Sequence, residues 1–231
     1  MESGFAPGES RRPMDRITRV TTDQNVQAIP ELPPELRELV SRTEGLQPWR
    51  RVFHALNGVA LALLPSVLGL RAPTVVALLA VGLGAMVALD LVRLRSPGVN
   101  RAFFRLFTSL ASPREARHFA SSTWYALGGL LAYALFPFEV VTPAILVLGL
   151  ADPVASVVGR RWGVRPLGKG SWLGAGAFFI TAATILLAAT GDPLTLLVAL
   201  VVTAVEVLPW PVDDNLTIPL CVAILLTLLA T

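Results

Sequence analysis

Apolar residues in this chain gather into long unbroken runs, not into the alternating or 3.6-residue patterns of half-buried strands and surface helices. The runs lie at 52–70, 73–94, 120–137, 140–159, 172–190, 193–208 and 216–231. About 17 to 25 apolar residues in a helix cross the roughly 30 Å hydrocarbon core of a bilayer. The pattern therefore predicts an all-α fold, a polytopic integral membrane helix bundle of about seven transmembrane helices. The runs at 120–137 and 193–208 are near the short limit and hold Ser or Thr, which leaves tilt, re-entry or an interfacial position open for one of them.

Residues 1–47 break the pattern: they are polar, carry Pro30, Pro33 and Pro34, and contain no apolar stretch that could form the core of a signal peptide. They are expected to form a largely disordered cytoplasmic tail, unstructured over 1–29, ahead of a transmembrane domain at 48–231. One short helix is predicted near 34–44, with Pro34 in its first turn, Leu36, Leu39 and Val40 at helical spacing and Gly45 as its stop.

Composition agrees: 54% of residues are hydrophobic, 15% are charged, and the mean hydropathy is +0.64. The single cysteine, Cys221, lies inside the last apolar run, so no disulfide forms within the chain. The formal charge of +3 is unevenly placed. Arg93, Arg95, Arg101, Arg105, Arg114 and Arg117 lie between runs two and three, and Arg160, Arg161, Arg165 and Lys169 between runs four and five, whereas the opposite loops hold only Arg71. Basic loops stay on the cytoplasmic side. The N-terminus is thus expected inside, the C-terminus outside, with the basic loops facing anionic headgroups. No nucleic-acid module is present in the sequence.

With that topology the ionisable residues embedded in apolar sequence converge on one leaflet: His54, Asp90, Asp152, Glu206, and the cluster Asp213, Asp214, Asn215. A transport path would instead place such groups at mid-membrane or in series across it. Each has a plainer reading. The arginines suit a positive-inside clamp, His54 an interfacial ring, and one of Asp213, Asp214 or Asn215 the N-cap of the last helix. A cap uses one residue, however, and a second carboxylate beside a low-dielectric slab is costly unless a cation or partner neutralises it. Adjacent hard oxygens suit Mg²⁺, which takes one or two carboxylates and shares its other positions with water and phosphate. Guanidinium groups and Lys169, the only lysine, suit phosphate oxygens. Phosphoryl or nucleotidyl transfer fits both halves. Neither a GxxxxGK[ST] loop nor a protein-kinase signature occurs.

The motifs resemble those of the CTP-dependent lipid kinases, which comprise dolichol and polyprenol kinase, phytol kinase and a CTP-using diacylglycerol kinase, and which are distantly similar to phosphatidate cytidylyltransferases. The resemblance runs from about Arg50 to Leu220 and rests on RRVFH at 50–54, DLVRL at 90–94 with Asn100 downstream, PRE at 113–115, STWYALG at 122–128, LADPVASVVGRRWG at 150–163, GKGSWLG at 168–174 and VDDNLTIP at 212–219. Ala151 stands where the family usually has Gly, and Leu173 where it often has Glu. The resemblance implies that Asp152, Asp213 and Asp214 bind Mg²⁺ with CTP, the phosphoryl donor, and that Arg160, Arg161, Lys169 and Asn215 contact the nucleotide. His54 or Asp90 would orient or deprotonate the hydroxyl of a lipid alcohol arriving from the cytoplasmic leaflet. The expected acceptor is an isoprenoid alcohol of polyprenol, dolichol or phytol type, or diacylglycerol. Nucleotidyl transfer from CTP to a lipid phosphate is the alternative within enzymes; a small transporter or an inactive membrane scaffold is the alternative outside them.

Overall fold

The computed structural model describes residues 32–230; the tail expected to be unstructured over 1–29 lies outside the described residues. Among these, nine helices account for almost all regular structure. They are α1 (Pro34–Ser41), α2 (Pro48–Val67), α3 (Ala72–Arg95), α4 (Pro97–Leu106), α5 (Ser121–Leu135), α6 (Phe138–Trp162), α7 (Trp172–Thr190), α8 (Thr195–Val207) and α9 (Asp214–Leu229). A 3₁₀ turn at Pro113–Ala116 and a two-stranded antiparallel hairpin, β1 (Pro166–Leu167) with β2 (Gly170–Ser171), are the remaining elements.

Each apolar run read from the sequence falls on a helix, but lengths differ. Three helices among the described residues are long and apolar enough to cross a membrane: α3, α6 and α7. The helices α8 and α9 are apolar but shorter, at 13 and 16 residues, and α5 has 15. At about 1.5 Å per residue, α5 and α8 span roughly 20 Å. The sequence marked those two runs as the short ones, and the helices are shorter still because Phe136–Pro137 and Leu208–Pro209 end them in extended backbone.

The centre of the bundle is α6. Inside the protein 56% of its apolar window is buried, against 11% for α3, whose side chains face outward. On one side Val141 and Ile145 pack with Ala62 of α2, Val75 of α3 and Ala132 and Tyr133 of α5. On the other, Ala144, Val147, Leu148 and Ala155 pack with Phe178 and Leu186 of α7, Val198 and Val202 of α8, and Ile218 and Val222 of α9. The helix is not regular throughout: Val147–Ala151 forms a π-turn immediately before Asp152 and Pro153. Proline has no N–H and its ring presses on the carbonyl four residues back, and one wide turn accommodates both without ending the helix. Where α2 crosses α6, Gly58 meets Gly149; a Cβ at Gly58 would stand 2.5 Å from the Gly149 Cα, so only glycine permits this approach.

Candidate functional site

The first turns of α2, α5, α7 and α9 and the last turns of α6 and α8 share one end of the bundle, and hydrogen bonds join them. Arg50 of α2 donates to Ser121 Oγ of α5 at 2.8 Å, and Arg51 donates to Ser156 Oγ of α6 at 2.7 Å. Asn215 Nδ2 of α9 donates to the Ser121 carbonyl at 3.2 Å. The hairpin after α6 is fastened to α8 by the Lys169 N–H, 3.1 Å from the Val207 carbonyl. Gly168, at φ +53°, makes that docking possible, because any side chain there would collide with Val207.

This end holds most of the residues singled out from the sequence. Asp152 follows the π-turn, and its Oδ2 lies 3.8 Å from His54 Nε2. His54 Nε2 lies 3.2 Å from the Leu148 carbonyl; a carbonyl only accepts, so this nitrogen carries the proton. Lys169 places its ammonium 2.5 and 2.6 Å from the two oxygens of Asp214. Asp213 is the N-cap of α9: its Oδ1 accepts from Asn215 N at 3.1 Å and from Asn215 Nδ2 at 2.8 Å, while Oδ2 lies 3.6 Å from Arg114. Glu206 lies within electrostatic reach of Asp152, Lys169 and Asp214, and Arg50, Arg51 and Arg160 within reach of one another. Asp214 precedes the predicted span at 216–231; burial holds its carboxyl above the usual aspartate range, opposed by the hydrogen bond and charge of Lys169.

Three residues stand apart. Asp90 is fully engaged in a buried node: Oδ1 accepts from Arg93 Nε at 2.6 Å, and Oδ2 accepts from Ala120 N at 3.0 Å and Thr123 Oγ1 at 2.6 Å. Arg93, 0% exposed, also donates to the carbonyls of Glu115 and His118, which ties the loop before α5 to the end of α3. Arg161 is exposed and lies over the Trp162 ring, 5.2 Å from its centroid. Leu173 is exposed beside Trp162, Val164, Arg165 and Trp172, around a shallow cavity of about 370 Å³ on the rim. Ala151, in contrast, is wholly buried in the core, where a small side chain fits.

Sequence reasoning did not select Arg50, Arg51, Arg114 or Tyr125 as site residues. The motif RRVFH offered the first two directly. Arg114 comes to Asp213 through a loop with no periodic signal, and a phenol within an apolar run does not announce itself as a charge does.

The donor set can be tested against a divalent cation. Among the described residues no three or more His, Cys, Asp or Glu side chains form a protein-only metal cage. Two or three separate carboxylates at a mouth lined by Arg and Lys fit instead a Mg²⁺ whose remaining ligands are phosphate oxygens and water. Asp152 accepts no hydrogen bond among the described residues, and Asp214 is held only by Lys169, so both have lone pairs to offer once a cation competes.

No protein-family model matches the chain, and no solved structure matches it. Curated proteins do. CTP-dependent diacylglycerol kinase 1 of Schizosaccharomyces pombe is 27% identical over 201 residues, which cover 78% of this chain and 92% of the relative. The proteins of the same name from Eremothecium gossypii and Saccharomyces cerevisiae are 31% and 29% identical over 85 and 75 residues, 27% and 26% of their own lengths. With an apolar helical bundle, one charged mouth, and similarity along nearly the whole of the fission-yeast protein, the chain is a distant homologue of the CTP-dependent lipid kinases.

Proposed function

We propose that this protein is a membrane-embedded lipid-alcohol kinase that transfers the γ-phosphoryl group of CTP to an isoprenoid alcohol or to diacylglycerol. The observation that carries the reading is the gathering of Asp152, Asp214, Lys169, His54 and the α2 arginines at one end of an apolar bundle, in a chain similar to a CTP-dependent lipid kinase. The bundle crosses the membrane seven times, the shorter helices being supplemented by flanking extended residues and by local thinning of the bilayer. The charged mouth faces the cytoplasm, the N-terminus lies on that side and the C-terminus opposite.

In this reading Asp152 and Asp214 would hold Mg²⁺, while Asp213 caps α9 through Oδ1 and turns Oδ2 toward Arg114 in the same region. Mg²⁺ supplies neutralisation of charge on the phosphates. Lys169 exchanges Asp214 for phosphate oxygens, and Arg50, Arg51 and Arg160 surround the transferring group, as donors aimed at developing charge do in phosphoryl transfer. The acceptor hydroxyl attacks the γ-phosphorus, its proton passes to His54 at Nδ1, the ring nitrogen left without a proton, with Asp152 beside Nε2 favouring the imidazolium, and CDP leaves. Asp90 serves structure, since both its oxygens are committed to the node with Arg93 and the N-terminus of α5.

The test is incubation of purified protein, Mg²⁺ and a panel of lipid alcohols with CTP labelled at either the α- or the γ-phosphate. Label from the γ-position in the lipid, far more than with ATP, is the expected result. Label from the α-position would establish nucleotidyl transfer to a lipid phosphate instead, and no label from either would end the enzymatic reading.

A further inference from the structure

Among the described residues two buried side-chain polar atoms lack a hydrogen-bond partner, and both adjoin His54: Arg51 Nε, one turn earlier on α2, and Tyr125 Oη. Tyr125 is 9% exposed, and its ring meets the imidazole edge-on with centroids 4.9 Å apart at 89°. Its hydroxyl reaches the crossing of α2 and α6, where an added Cβ on Gly58 would stand 2.8 Å from it and one on Gly149 3.5 Å. The phenol oxygen therefore packs against the glycine backbone of this crossing, in the space a side chain on Gly58 would take, and no hydrogen-bond partner meets it among the described residues. Asp152 lies beside the same imidazole, 3.8 Å from His54 Nε2.

A buried hydroxyl without a partner carries its full desolvation cost. The fold is able to satisfy a phenol when its role is structural: Tyr133, two turns further along the same helix, donates to the Leu61 carbonyl at 2.7 Å. Tyr125, by contrast, spends its burial beside the one pair of residues assigned to the acceptor's proton. Resting on the kinase reading above, we propose that Tyr125 Oη is the hydrogen-bond partner of the acceptor's hydroxyl, holding the lipid alcohol's oxygen beside His54 and Asp152 where α5 faces the crossing of α2 and α6. A site built around a hydroxyl group discriminates against molecules lacking it, because its own polar atom is then left unpaired.

The variant Tyr125→Phe removes one oxygen and keeps the ring, and so keeps the packing on His54. Two alcohols and their hydroxyl-free counterparts serve as probes: 1,2-dioctanoylglycerol against the matching propanediol diester, and phytol against phytane. Thermal unfolding of the wild-type protein should rise with at least one alcohol and much less with its counterpart. Tyr125→Phe should need about tenfold more of that alcohol for the same rise, should treat alcohol and counterpart alike, and should respond to Mg²⁺–CTP as the wild type does. Without ligand its unfolding temperature should be unchanged or higher, since a purely structural hydroxyl would lower it on removal. In turnover the KM for alcohol should rise about tenfold with the KM for CTP unchanged. A wild type that shows no preference for the alcohols, or a Tyr125→Phe variant that retains the preference, overturns the inference. If the preference exists and depends on Tyr125 while no phosphoryl transfer occurs, the binding role stands and the kinase reading falls.

Discussion

Lys169 and Asp214 are 45 residues apart in sequence, and the Lys169 ammonium spans both oxygens of the Asp214 carboxylate at 2.5 and 2.6 Å. The hairpin that carries Lys169 is fixed on α8 by its own backbone, so the lysine arrives at the first turn of α9 from a rigid support. The pair is about a third exposed, and such an ion pair contributes at most about 1 kcal/mol, so stability gives it little purpose. Lys169→Met should therefore leave thermal stability within about 1 kcal/mol of the wild type while lowering turnover on the order of 10²-fold. Steady-state rates with CTP and a lipid alcohol check this, and an unaltered rate would remove Lys169 from the site.

Asp213 and Asp214, adjacent in sequence, have different partners, the Asn215 N–H and Arg114 for the first and Lys169 for the second, and the proposed site gives capping to Asp213 and cation binding to Asp214. Asp213→Ala should cost about 1 kcal/mol of stability through the lost cap, and Asp213→Asn should recover most of it. Asp214→Asn should unfold like the wild type yet lose on the order of 10² to 10³ in rate, with a higher Mg²⁺ requirement. Thermal denaturation and Mg²⁺ titrations on the three variants separate capping from cation binding. Full activity in Asp214→Asn would contradict the assignment.

Asp90→Asn and Arg93→Met each leave a buried charge unpaired, which costs about 3–5 kcal/mol. Both variants should unfold at much lower temperature and lose activity in step with folded protein. A variant at Asp90 that is stable as the wild type and catalytically dead would return Asp90 to the chemistry.

Gly58→Ala should push α2 away from Gly149 at a cost of about 1–3 kcal/mol. The expected readout is a lowered unfolding temperature together with weakened acceptor binding, because Tyr125 and His54 flank the same crossing.

The helices were legible because a bilayer demands long apolar runs, and every run became one. Which runs are long enough as helices was less so: Pro137 and Pro209 shorten α5 and α8 by restricting the residues before them. The convergence of His54, Asp152, Asp214 and Lys169 followed from counting charges along an alternating topology. The division of partners did not, since helix phase decides which of Asp213 and Asp214 reaches Asn215 N, and the folding of the 107–120 loop and the hairpin decides which meets Arg114 and which Lys169. Asp90 looked the same as Asp152 in sequence, both being single carboxylates near the end of an apolar run. What separates them is the 107–120 loop, whose carbonyls and N–H groups surround Arg93 and Asp90 and whose path no periodicity announces. The π-turn before Asp152 was equally hidden: Pro153 signals a disturbance in the helix, and only the tertiary packing of α6 chooses a wide turn over a kink.

All five tryptophans stand at the charged end: Trp49 and Trp124 in the first turns of α2 and α5, Trp162 closing α6, Trp172 opening α7, and Trp210 just past α8. Indoles favour the headgroup level of a bilayer, so in the proposed kinase this rim is moored at the boundary where a nucleotide arrives by three-dimensional diffusion and a lipid by two-dimensional diffusion. The two substrates are then supplied on different scales. Half-saturation by CTP is a bulk concentration, but half-saturation by the acceptor is a mole fraction of the surrounding lipid, and adding inert phospholipid slows the reaction although the total amount of acceptor is unchanged.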